Sequence, residues 1–113
     1  MKVIYVAGPF TGNTLWDCMN NIRRAEEVSL RVWKAGAAAL CPHTNAMLFE
    51  GELNYETILD GDIVMLERCD AILMMNEWTT SRGATAEYQF CRQNNIPIFY
   101  EASFEKLEKF IND

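Results

Sequence analysis

Two acids in this chain stand where an acid is costly. Glu87 closes the stretch SRGATAE, residues 81–87. On a helix, a side chain meets those three and four residues away. For Glu87 these are Gly83, Ala84, Phe90 and Cys91, none of them charged. Asp62, within YETILDGDIVMLE, has Ile58, Leu59, Met65 and Leu66 in the same places. Glu27 is the contrast, with Arg23, Arg24 and Arg31 at pairing distance along its helix. An acid on an apolar face needs a partner or a task. One such acid reads equally well as a structural group bonding a loop or capping a backbone; two in a chain this short favour a site. Glu87 falls in the first two turns of its segment, where the positive helix end favours the ionised form. Gly83 and Ala84 are small enough to let a ligand approach the backbone. An ionised, approachable carboxylate suits nucleophilic attack at a sugar carbon. A second carboxyl at roughly 5 Å would protonate or hold the leaving group.

The elements that must position these acids alternate along the chain. Lys2–Ala7 is a near-continuous apolar run, as in a strand buried on both faces of a parallel sheet. Leu15–Ala35 carries apolar residues at helical spacing and stops at Gly36. Ala37–Cys41 reads as a second strand closed by Pro42, and His43–Asn54 as a loop with room for a helical turn. Tyr55–Glu67 reads as a helix that Gly61 weakens, Asp70–Met75 as a third strand, and Asn76–Ser81 as a loop. Gly83–Asn94 is a helix, Ile96–Tyr100 a fourth strand, and Ser103 the cap of a last helix built on Phe104, Leu107, Phe110 and Ile111. Alternating strands and helices predict one α/β domain over residues 1–113, a three-layer sandwich around a parallel sheet of four to five strands. Ligands in such sheets bind beyond the carboxyl ends of the strands, near the switch in strand order. GPFTGN after the first strand, Pro42-His43 after the second, NEWTTSRGA after the third and Glu101-Ala102 after the fourth should meet there. Asp70 starts its strand, away from that edge, and reads as structural.

Composition removes several classes of function. Half of the 113 residues are apolar and 12% aromatic, enough for a packed core. The net charge is −6, and the only basic run is Arg23-Arg24, so the footprint of a nucleic-acid polymer is missing. The four cysteines are far apart without a CxxC pair, which reads as reduced, buried thiols in a cytoplasmic protein. His43 is the sole histidine, and no zinc-ligand pattern accompanies it. The start, MKVIYVAG, has too short an apolar run for a secretory leader, and no stretch has the length to span a membrane.

IYVAGPFTG, ILDGDIVMLERCDAILMM and SRGATAE together resemble the nucleoside 2-deoxyribosyltransferases and their relatives, the nucleoside 5′-monophosphate N-glycosidases. The resemblance runs from about Val3 to Tyr100 and is strongest to the small members found in phages and prophages. It implies a flavodoxin-like fold and cleavage of an N-glycosidic bond through a covalent glycosyl-glutamate. By position, Glu87 matches the nucleophile, Asp62 the aspartate that assists the leaving base, and Tyr5 a tyrosine beside the nucleophile. Ser81 matches a serine that contacts a 5′-phosphate, and Gly8 the glycine of the first loop. The chain departs from the monophosphate hydrolases at Pro9 and Thr11, where those enzymes carry a serine and an arginine for the phosphate. Thr11, Gly12 and Ser81 keep donors there. The resemblance also implies a homodimer or higher homo-oligomer with a nucleoside or nucleotide as ligand, and needs no metal or organic cofactor.

Pro9, Phe10, Thr11 and Gly12 form a turn that would cradle a phosphate or sugar, or simply connect strand to helix; it is neither a Walker A loop nor a GxGxxG fingerprint. Trp78 would stack on a base or fill a core or subunit interface. His43 would contact a base or hydroxyl, although a histidine satisfied within its own loop is the plainer reading. Two functions therefore compete. One is an enzyme in which Glu87 attacks C1′, Asp62 assists the base, and water or a second base releases the sugar. The other is a non-catalytic nucleotide-binding module in which Glu87 bonds a sugar hydroxyl.

Overall fold

The computed structural model describes residues 1–49 and 51–113. Four strands, β1 (Val3–Ala7), β2 (Ala38–Leu40), β3 (Ala71–Met74) and β4 (Ile98–Tyr100), form one sheet. Their order is β2-β1-β3-β4, and every pairing is parallel. The register sets Tyr5 opposite Leu40 on one side and Ile72 on the other. This is the parallel α/β sandwich that the alternation predicts, and it is flavodoxin-like as the resemblance implies. The switch in strand order lies between β1 and β3, because the chain leaves β1 for β2 on one side and later builds β3 on the other.

Alternation along the strands divides the core into two layers. Ile4, Val6, Ala71 and Leu73 face α1 (Leu15–Ala35) and α5 (Phe104–Ile111), meeting Ala25, Val28, Val32, Phe104 and Leu107. Tyr5, Ala7, Ile72 and Met74 face α3 (Tyr55–Glu67) and α4 (Arg82–Gln93), meeting Leu66, Ala84 and Cys91. Both strands at the centre are thus covered on both faces, which is why they read as unbroken apolar runs.

The helix signals work as chemistry demands. Thr14 caps α1 through its hydroxyl to the Asp17 N–H, and Gly36 ends it at φ 105°, a left-handed conformation suited to glycine. Asn54 caps α3, accepting from the Thr57 N–H at 2.8 Å. Gly61 is tolerated in mid-helix on an exposed face.

Several boundaries differ from expectation. Strand β4 starts at Ile98, because Asn95 turns the chain at φ 57° and Pro97 has no N–H for the ladder. The loop after β2 opens with a single helical turn, α2 (Pro42–Asn45), started by Pro42. The β3–α4 loop holds a 3-10 turn, Trp78–Thr80. Ser103 precedes α5 but makes no capping hydrogen bond with its side chain; the 3-10 turn Glu101–Ser103 leads straight into the helix. Arg24 does not pair within its helix with Glu27 but reaches Glu101 and Glu77. Among the cysteines, Cys41 and Cys91 are buried while Cys18 and Cys69 are half-buried; all four are free thiols. Asp70 is structural as read, accepting from the Val3 N–H at 2.7 Å at the amino end of the sheet. Among the described residues no helix is long and apolar enough to cross a membrane.

Candidate active site

Glu87 and Tyr5 meet under helix α4. Tyr5 is fully buried at the centre of β1 and donates its phenol O–H to Glu87 Oε2. Glu87 is only 4% exposed. Its place follows from local sequence: Ser81 caps α4 by accepting from the Ala84 N–H at 3.1 Å, and the helix then turns its Ala84, Glu87, Cys91 stripe onto the sheet. An apolar stripe interrupted by one acid buries the acid with its neighbours, and Tyr5 is the partner it finds.

Burial pushes the Glu87 carboxyl up to about 8; the Tyr5 hydrogen bond lowers it, and the charge of Asp62 raises it further. Burial thus works against the ionised form that the helix end favours. Desolvation outweighs the helix end, and near neutral pH the group holds its proton. Asp62, half-buried on α3, is pushed up to about 6 by burial. Burial also drives the Tyr5 phenol far up, with Glu87 and Asp62 adding to the effect. Asp62 thus acts electrostatically on both Glu87 and Tyr5, and the three groups form one cluster. With the two acids near 6 and 8, between those values they hold one proton between them.

The loop after β1 is held from three sides. Gly8 lies so close to Met75 that a Cβ there would fall 2.5 Å from Met75 Sδ. Packing therefore accounts for that glycine. His43 is 5% exposed, and its Nε2–H donates to the Pro9 carbonyl at 2.7 Å while its ring stands edge-on to Phe10. Its one hydrogen bond reaches the first loop rather than its own, and burial lowers its pKa. Its Nδ1 is buried without a partner. Asn21 Nδ2 donates to the carbonyls of Phe10 and Thr11, at 3.2 and 3.4 Å. A Cβ on Gly12 would collide with the Asp17 side chain at 2.3 Å, so the turn needs glycine there.

Beside this loop lies an open depression of about 500 Å³, lined by Pro9, Thr11, Gly12, Asn13, Asp17, Asn20, Asn21, Glu77 and Thr80. It contains three of the expected loop residues but not Glu87, Asp62 or Tyr5. Its charged members, Asp17 and Glu77, are both acidic. Arg24, the nearby cation, is engaged by Glu101 and by Glu77 at 3.5 Å. Glu101 Oε1 also accepts from the Asn76 N–H at 3.0 Å, fixing the start of the β3–α4 loop.

Trp78 is stacked on Tyr88 at 4.5 Å between ring centroids, which makes it a packing residue rather than a free platform. Ser81 directs an oxygen at its own helix, although its hydroxyl proton is still available. Tyr55 escaped the sequence reading. Its hydroxyl lies 3.0 Å from where a Cβ on Gly83 would stand. Position was the available signal: it begins α3, seven residues ahead of Asp62 and on the same helical face. Among the described residues no group of three or more His, Cys, Asp or Glu side chains is placed to hold a metal ion.

A parallel β2-β1-β3-β4 sheet with helices on both faces is a fold that solved structures contain. The chain superimposes on a 2-deoxyribosyltransferase from the psychrotolerant bacterium Bacillus psychrosaccharolyticus with a TM-score of 0.62, over 87% of this chain and 70% of that one, at 16% identity. The fold is thus nucleoside 2-deoxyribosyltransferase-like. Residues 2–100 match the family described as "Domain of unknown function (DUF4406)", and the chain belongs to that family. Among curated proteins no sequence matches.

Proposed function

We propose that the protein cleaves or transfers the N-glycosidic bond of a nucleoside-type substrate, with Glu87 as nucleophile. The buried Tyr5–Glu87 pair beside Asp62 carries this reading. In the reaction, a carboxylate oxygen of Glu87 bonds to C1′ as the C1′–N bond breaks. The electron pair leaves with the base, which takes a proton from the Asp62 carboxyl. Water or a second base then displaces Glu87 from C1′. The Tyr5 O–H steadies the Glu87 carboxylate before attack and after release. Glu87 is the weaker acid, so the proton the two acids share rests mainly on Glu87, and the reacting form is the one in which that proton has passed to Asp62.

The acidic lining of the depression and the engagement of Arg24 favour a substrate without a 5′-phosphate. A neutral sugar hydroxyl would find an acceptor in Asp17 and an amide partner in Asn20. Leu15 and Trp16 at the start of α1, and Leu48 in the loop after α2, are 75–82% exposed. These support a homo-oligomer, which sedimentation of the purified chain would detect.

The test is base release, followed by chromatography, from a panel of ribo- and deoxyribonucleosides and their 5′-monophosphates. Wild type should release base, preferring unphosphorylated substrates, and Glu87→Ala should not. One observation favours a second reading: Glu87 is nearly inaccessible and protonated near neutral pH, so it is also placed to donate a hydrogen bond in a non-catalytic nucleotide-binding module. Saturable binding of one nucleoside by both proteins, with no base released by either, would select that reading.

A further inference from the structure

Tyr55, Glu56 and Arg82 stand at the amino ends of α3 and α4, the helices that carry the two acids. The Tyr55 ring is 41% exposed and lies against the bare backbone of the first turn of α4, its hydroxyl facing Gly83. The Arg82 guanidinium lies over that ring, 5.1 Å from its centroid, and its Nη2 donates to Glu56 Oε1 at 2.8 Å. Both members of this ion pair are well exposed, with side-chain accessibilities of 73% and 63%. Tyr55 is within electrostatic reach of the catalytic cluster. Burial raises its phenol pKa first, Arg82 opposes this, and Glu87, Glu56 and Asp62 all add to the rise. Asp62 stands two helical turns further along the same face of α3. Trp78, one candidate for stacking on a base, is stacked on Tyr88.

We propose that Tyr55 is the stacking platform for the heterocyclic base of the substrate, and that Arg82 vacates the ring face when the base arrives. This rests on the nucleoside reading above. A guanidinium and a nucleobase are both flat groups that associate with an aromatic face, so one can replace the other. The exposed Arg82–Glu56 pair is screened by solvent and holds Arg82 only weakly. Stacking is indifferent to the hydrogen-bonding edge of the base. The platform accordingly selects for a ring, and for a larger ring over a smaller one, without selecting among purines.

Tyr55→Phe keeps the ring, and Tyr55→Leu keeps bulk but removes the ring. Steady-state kinetics on a purine and a pyrimidine nucleoside should show KM raised about tenfold by Tyr55→Leu, more for the purine. Tyr55→Phe should stay near wild type, kcat should change little in either variant, and the melting temperature should be unmoved at this exposed position. A wild-type KM in Tyr55→Leu overturns the platform and leaves the proposed reaction standing. If wild type releases base from no nucleoside, the reaction itself has failed. Equilibrium dialysis with adenosine then decides the platform separately: weaker binding by Tyr55→Leu supports it, and equal binding overturns it.

Discussion

Replacing Glu87 with glutamine should make the protein more stable as pH rises, by an amount the buried carboxyl sets. The folded-state pKa is pushed up to about 8, against an ordinary value of 4.5. A raised carboxyl pKa means that the folded state holds its proton longer than the unfolded chain does. The stability tied to this group is therefore fully present below pH 4.5, falls as pH rises, and is gone above pH 8. A gap of about 3.5 pKa units corresponds to about 5 kcal/mol when fully developed, and to about 3 kcal/mol at pH 7. Glutamine has the shape of the protonated acid, still accepts from the Tyr5 O–H, and does not titrate. The difference in unfolding free energy, Glu87→Gln minus wild type, should therefore climb by about 4 kcal/mol between pH 4.5 and pH 9. Groups remote from Glu87 cancel in that difference, leaving Glu87 with its smaller couplings to Asp62 and Tyr5. Urea melts of both proteins at pH 4.5, 7 and 9 supply it, provided the slopes agree. A difference that stays flat across the range would refute the argument, because a group titrating normally in the folded state gives no such slope.

The same cluster shapes activity. If Asp62 gives its proton while Glu87 attacks, kcat/KM should follow a bell with limbs near pH 6 and pH 8, and a plain rise to a plateau would remove Asp62 as the acid. Asp62→Asn should lower the rate by on the order of 10²-fold and convert the bell to a single rise. Its midpoint should lie below pH 8, since the charge that raises Glu87 is gone; a bell surviving in this variant would refute the assignment. Tyr5→Phe removes the hydrogen bond that lowers Glu87, so the alkaline limb should move above pH 8 with a smaller maximum, and an unmoved limb would separate Tyr5 from Glu87. Gly8→Ala places a methyl 2.5 Å from Met75 Sδ and should destabilise by about 1–3 kcal/mol in urea melts; an unchanged midpoint would show that Met75 swings aside freely.

Much of this was legible in the residues, for reasons that differ from element to element. β1 and β3 announced themselves because strands covered on both faces must be apolar throughout. Glu87 stood out because helical spacing surrounded it with residues unable to pair with it, and the structure buries it as that pattern requires. Its protonation state was not legible. The helix end acts locally, whereas burial depends on Tyr5, which is 82 residues away along the chain. Trp78 was left open between base and core for a related reason: its stacking partner Tyr88 lies on the following helix, and single-residue reasoning does not see pairs across a loop. Tyr55 hid because an aromatic at a helix start looks like any other exposed ring until Gly83 and Arg82 are brought against it. Gly8 looked like a ligand-binding glycine, and the contact that explains it comes from Met75, on the neighbouring strand's extension.

The hydrogen bond from the Asn76 N–H to Glu101 joins parts of the chain that the order of synthesis keeps apart. Asn76 opens the segment leading to the capping Ser81 and so to Glu87, whereas Glu101 directly follows β4, an edge strand paired on one side only. Arg24 closes the triangle from α1. When β4 frays, this fastening opens with it, and the start of α4 loses an anchor some distance from the frayed edge. The seat of Glu87 is thus completed only after nearly all of the chain has been laid down, and local melting at the sheet's margin is felt at its centre.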